Sequence, residues 1–207
     1  MMFRYLALLL LLAGCTIAPK APAPVATFDF GPISWSESLQ PASSPIQIQI
    51  AEITVPQWLD TQAMRYRLVY HHPAQTHVYA NNRWAAAPAS LLTERFRQHV
   101  ALRKRPSDQK DNNTRLTTYL LKIELEEFIQ VFDTVDHSHA VVSLRASLVE
   151  RDTRLLVAQQ RFSETQTTPS PDASGAVDSF IAISDQLAVE LIRWSTRMAG
   201  YQPVLSE

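Results

Sequence analysis

Cysteine is all but missing from this 207-residue chain: Cys15 is the only one. One thiol makes no disulfide within the chain and no cysteine-built metal site. Glycine is nearly as scarce. The four glycines, Gly14, Gly31, Gly175 and Gly200, do not form a run, so neither common glycine-rich phosphate loop is present. Neither sign of charge prevails, with 19 lysines and arginines against 20 aspartates and glutamates. No one-signed field covers the chain, which argues against nucleic acid as a partner. Beyond Cys15 no apolar run approaches the roughly 20 residues that a membrane-crossing helix needs.

What is present begins at the N-terminus. Arg4 precedes the apolar run Leu6 to Leu12, and Leu12-Ala13-Gly14-Cys15 follows. A basic start, an apolar stretch and small residues at a cleavage point are the parts of a secretory signal. The cysteine directly after the small pair makes the site a lipobox. The expectation is a signal peptide over 1–14, cleavage before Cys15, and acyl chains, palmitate among them, on that residue. Two or more chains anchor a protein stably where one does not. Residues 15–26 carry Pro19, Pro22 and Pro24 among alanines, a composition that forms extended, semi-rigid tethers. Thr16, in place of the aspartate that retains lipoproteins in the inner membrane, points to the outer membrane.

The rest divides into a body, 27–200, and a short tail, 201–207. Ile46-Gln47-Ile48-Gln49-Ile50 alternates with the period of a half-buried strand. Short strands are predicted over Met64 to Val69 and His77 to Ala80, with Asn81-Asn82 as a turn. Pro88 suits the first turn of a helix, in which Leu92, Phe96 and Val100 form one stripe. Arg95 and Arg97 fall off that stripe, and Arg103, Lys104 and Arg105 sit at its end. Pro106 to Thr114 is polar and breaks structure. Thr118 to Val131 is the longest strand candidate, followed by a strand with Ala140, Val142, Leu144, Ala146 and Leu148 on one face. Arg151-Asp152-Thr153 reads as a hairpin tip before a return strand holding Leu156, Ala158 and Phe162. A linker over Thr165 to Pro171 leads to a last helix, opened by Pro171 and Asp172 with Ser170 as cap. Its stripe is Phe180, Ile183, Leu187, Leu191, Trp194 and Met198, and Gly200 ends it. Two one-striped helices and a meander make a single α+β two-layer sandwich, a mostly antiparallel or mixed sheet packed by two amphipathic helices.

In the long strand, Leu121, Ile123, Leu125, Ile129 and Val131 share one face, which turns Phe128 and Phe132 outward with the charged residues. A bulge near Glu126-Glu127 brings them back in. Both arrangements fit the sequence. His71, His72 and His77, and His137 and His139 near Asp133 and Asp136, read as polar loop residues rather than metal ligands. No Gly-x-Ser-x-Gly elbow exists, and Glu126-Glu127 and Asp133/Asp136 read as solvated face and turn. No enzyme, cofactor or metal is expected beyond the covalent lipid on Cys15. Arg83-Trp84 before Pro88 reads as a structural motif, the indole stapling the helix start to the sheet.

The order of these features resembles the ABC-type transport auxiliary lipoprotein family, the PqiC-like group. The lipobox comes first, then Ile53-Thr54-Val55-Pro56-Gln57-Trp58-Leu59-Asp60 and Met64-Arg65-Tyr66-Arg67. Tyr79-Ala80-Asn81-Asn82-Arg83-Trp84, the strand Leu121 to Phe132, Arg161-Phe162 and the helix ending near Trp194 complete the set. The resemblance implies a non-enzymatic docking component at the periplasmic face of the outer membrane. Its partners would be an MCE-domain protein and an ABC permease and ATPase that move phospholipid between two membranes. It also implies homo-oligomers, for which Phe128 and Phe132, if exposed, are the candidate face. A periplasmic lipid-binding chaperone and an outer-membrane assembly lipoprotein are the alternatives.

Overall fold

A computed structural model describes residues 24–33, 46–103 and 117–200. Cys15, the signal peptide, most of the tether, the Pro106–Thr114 segment, Lys104, Arg105 and the tail lie outside the described residues. Among the described residues the chain forms seven strands and two helices. They are β1 (Ala26–Phe28), β2 (Ile46–Ile50), β3 (Ala63–Leu68), β4 (Thr76–Trp84), α1 (Pro88–Leu102), β5 (Thr117–Phe132), β6 (Ser138–Glu150), β7 (Leu156–Thr167) and α2 (Ala173–Gly200). One open mixed sheet runs β1-β4-β3-β5-β6-β7, with β2 also on β5. The α+β class expected from the periodicities is the observed one.

β5 is the spine. β6 pairs with it antiparallel along its whole length. Its other flank is shared by two segments lying end to end, both parallel to it. β2 pairs with Thr117–Leu121, and β3 pairs with Gln130–Phe132. Between them Thr54 makes a single bridge to Glu124.

A bulge between Leu125 and Glu127 decides the faces of β5. Before it, Tyr119, Leu121, Ile123 and Leu125 point toward the helices. One extra residue shifts the alternation, so that Phe128, Gln130 and Phe132 take over that face. Ile129 and Val131 pass to the other side, although the unbroken period placed them with Leu121. The core lies between this face and the helices. It takes the whole apolar row of β6, Leu92 and Phe96 of α1, and the α2 stripe from Phe180 through Trp194.

Three local expectations need correction. Asn81-Asn82 is not a turn but lies inside β4, where two steps along β3 (Ala63 to Arg65) face five along β4 (Arg83 to Val78). The asparagines mark that irregularity. The stretch from Thr165 is not all linker, because β7 continues to Thr167. Asp172, not Ser170, caps α2. Its carboxylate accepts the Gly175 amide at 2.8 Å and its carbonyl accepts the Ala176 amide at 3.1 Å. Ser170 instead donates its hydroxyl to that carboxylate at 2.9 Å.

Candidate functional site

Phe128 and Phe132 do not form a docking face. They are 3% and 8% exposed, because the bulge turns both inward, Phe128 under α2 and Phe132 against Tyr66 of β3. Phe128 stacks on Phe180 with centroids 4.0 Å apart and 13° between planes. Trp84 meets both rings edge-on, at 5.6 and 5.7 Å, and also Phe30 at 5.8 Å. Trp84 therefore joins the chain just after β1 with β4, β5 and α2 in one aromatic cluster. Pro88 opens α1, with no side-chain cap at Ala87. Arg83 points the other way, donating to the Thr27 hydroxyl at 3.3 Å.

Beside this cluster lies a polar group that the sequence pattern did not announce. Arg95, expected off the stripe, is almost fully buried. It follows Leu92 by three residues, which puts it on the stripe's flank. It donates to both Asp185 oxygens, at 2.6 and 2.7 Å, a two-pronged geometry suited to guanidinium and carboxylate. Its remaining nitrogen reaches the carbonyls of Phe30 and Gly31, at 3.3 and 3.1 Å. His99, one turn later, places Nε2 2.8 Å from the same Asp185. One carboxylate on α2 thus ties α1 and the chain leaving β1 together. Burial pushes the Asp185 carboxyl up, but the His99 and Arg95 hydrogen bonds and the Arg95 charge outweigh it and hold it below the ordinary value.

A second buried network closes the far end of the helix layer. Tyr79 donates to Gln130 Oε1 at 2.7 Å. Gln130 Nε2 donates to the Ser138 hydroxyl at 2.8 Å and the Asp172 carbonyl at 3.2 Å. Burial raises the Tyr79 phenol well above its usual value, helped by Tyr66 and Asp172, so it remains the donor. Asp172 is held low by the Gly175 amide and the Ser170 hydroxyl.

The opposite face of the sheet carries no helix among the described residues. Across β5, β6 and β7 it is a ladder of ion pairs. Glu126 takes Arg145 at 2.6 Å and Arg161 at 2.7 Å, and Arg67 of β3 takes Glu127 at 3.2 Å. These carboxylates are engaged by arginines. His77 lies in β4, where a strand was predicted from it onward, and His139, expected in a loop, lies in β6. His77 stacks on Tyr66, and His139 Nδ1 sits 2.8 Å from Asp133. Among the described residues no cluster of His, Cys, Asp and Glu is placed to hold a metal ion. Beyond Glu127 the face changes character. Trp58 is half exposed, its carbonyl accepts from Arg65 at 2.8 Å, and the guanidinium lies 5.8 Å from the indole centroid.

The model of the ABC-type transport auxiliary lipoprotein component matches residues 29–191, most of the chain. This chain belongs to that family. Solved structures agree on the fold. A protein from Xanthomonas campestris superposes with a TM-score of 0.61 at 18% identity, covering 86% of this chain and 94% of its own. An uncharacterized protein gives 0.58 at 12%, covering 83% and 98%. No curated protein matches. The auxiliary lipoprotein's matched region starts at Asp29 and so takes in the aromatic cluster and the Asp185 clamp. In this lipoprotein both hold the fold together.

Proposed function

We propose that this chain is a docking component of an ABC–MCE system that moves phospholipid between the two membranes of a Gram-negative envelope. Acyl chains on Cys15 hold it in the outer membrane, at the periplasmic face. It performs no catalysis and takes no cofactor. It works as a homo-oligomer that receives an MCE-domain protein, whose permease and ATPase lie across the periplasm. The observation that carries this reading is the family match over residues 29–191, joined to a lipobox at Leu12-Ala13-Gly14-Cys15.

Crosslinking of the full chain in intact envelopes tests it. The expected product contains an MCE-domain protein. Recovery of a β-barrel protein without any MCE or ABC component overturns the docking role in favour of assembly. Labelled palmitate should enter the chain and be lost in Cys15→Ala, which should also leave the membrane fraction.

A further inference from the structure

The helix-free face divides into two sectors of different chemistry. Over β5, β6 and β7, Glu124 and Glu126 are matched by Arg145 and Arg161. Over β1, β4 and β3 arginines stand beside exposed apolar side chains, with Asp29 and Asp60 at the margins. Strand alternation and the pairs Thr27 with Arg83, Ala63 with Arg83 and Arg65 with Val78 put Arg83, Arg65, Arg67 and Val78 on this side. Only Arg67 has a carboxylate partner, Glu127. Among the described residues Arg65 and Arg83 have none, and the exposed Asp60 pairs with neither.

Four exposed large apolar side chains lie in the same sector, the others being Val135 in the turn after β5 and Leu155, Leu156 and Val157 at the start of β7. Trp58 is 52% exposed, Val78 48%, and Val25, just before β1, 49%. Tyr70, in the turn joining β3 to β4, is 48% exposed. An indole with a guanidinium across it combines an apolar body with a polar rim, the make-up of side chains at membrane–water boundaries.

The position of the anchor supplies the second argument. β1 runs parallel to β4, with Ala26 opposite Asn82, so the tether leaves the fold from this sector's edge. Neighbouring strands lie about 4.8 Å apart, which sets β3 some 10 Å from β1. Cys15 precedes Pro24 by nine residues, a reach of roughly 28 Å if extended. That length lets the sector touch the membrane that holds the chain.

We propose that the β1–β4–β3 face, centred on Trp58, Arg65 and Val78, lies on the anchoring membrane, with Arg65 and Arg83 taking the phosphates of anionic lipid headgroups. This rests on the lipid anchor at Cys15. Contact in this orientation turns the helices away from the lipid.

The test uses the full, acylated chain in phosphatidylethanolamine vesicles containing phosphatidylglycerol. Acylation consumes the only native thiol, so a nitroxide can be placed through Val78→Cys or, as a control in the helix layer, through Gln186→Cys, an exposed position of α2. A neutral water-soluble relaxation agent should reach the label at 78 about threefold less readily than the label at 186. Trp58→Ala with Arg65→Glu should abolish that difference, and so should phosphatidylcholine vesicles or about 0.5 M salt. Equal access at both positions in chains that sediment with the vesicles overturns the face assignment alone. Protection unchanged by lipid charge and by Arg65→Glu overturns the headgroup role. A chain that does not sediment overturns the anchor and this orientation with it.

Discussion

Asp185 is the side chain whose loss leaves most behind it. Arg95 and His99 are buried, and Asp185, about 30% exposed on its side chain, is the carboxylate they share. Asp185→Asn should therefore destabilise the protein by about 3 kcal/mol, the low end for breaking a buried pair because the carboxylate keeps some water contact. Urea denaturation of the detergent-solubilised chain measures this. Phe128→Ala should cost more, about 4 kcal/mol, because it empties the space between Trp84 and Phe180. The same titration checks it. Neither role was fully legible. Residue spacing puts Arg95 beside Leu92, but a charge at the margin of a stripe reads as solvent-facing unless its partner is known. That partner is 90 positions away. Phe128 was ambiguous because a bulge adds one residue without a signature of its own, and every side chain after it changes sides.

At the scale of elements, the periodic segments were the legible ones. The row Ala140 to Leu148 and the α2 stripe have the repeats of a strand and a helix, and burial follows them. Punctuation was less reliable. Asn81-Asn82 looked like the end of a strand, but two neighbouring strands carry β4 through its irregularity. The start of α2 depends on a contact hidden from the sequence. A Cβ on Gly175 would overlap the Ser170 carbonyl oxygen and lie 2.7 Å from its amide nitrogen. Helix propensity alone favours alanine at this position by about 1 kcal/mol. Gly175→Ala should instead destabilise by about 2 kcal/mol, since backbone has to move. Thermal unfolding followed by circular dichroism gives the sign. Asp172→Ala, which removes the cap, should cost about 1 kcal/mol in the same assay.

The whole molecule has a stability that depends on pH in a definite direction. Asp172 and Asp185 both have folded values below the ordinary 3.8. A depressed acid contributes stability that is complete above its unfolded value and is lost as pH falls toward its folded one. Through these two groups the melting temperature should be flat above about pH 5 and fall below about pH 4. Asp172→Asn with Asp185→Asn should lower it at neutral pH and make the acid-side fall shallower. A parallel fall in both proteins would count against the assignment. At this scale the class was legible in composition and period, because one apolar stripe per helix leaves room for only one sheet face. The strand order was not. Nothing in Ile46–Ile50 or Met64–Leu68 says that both flank one distant strand.

That shared flank governs the order in which the chain can mature. β2, β3 and β4 precede β5 in the chain, and the partners that the β2 and β3 parallel ladders require lie 71 and 64 residues downstream. The hairpins from β5 to β7 close over short turns, so they form early once synthesised, whereas distant pairings are slow. Until Thr117–Phe132 is in place, β2 and the β5-facing edge of β3 lack their partner. Open strand edges are where a partly folded chain associates with others, so the N-terminal half is the part most exposed to misassembly while it folds.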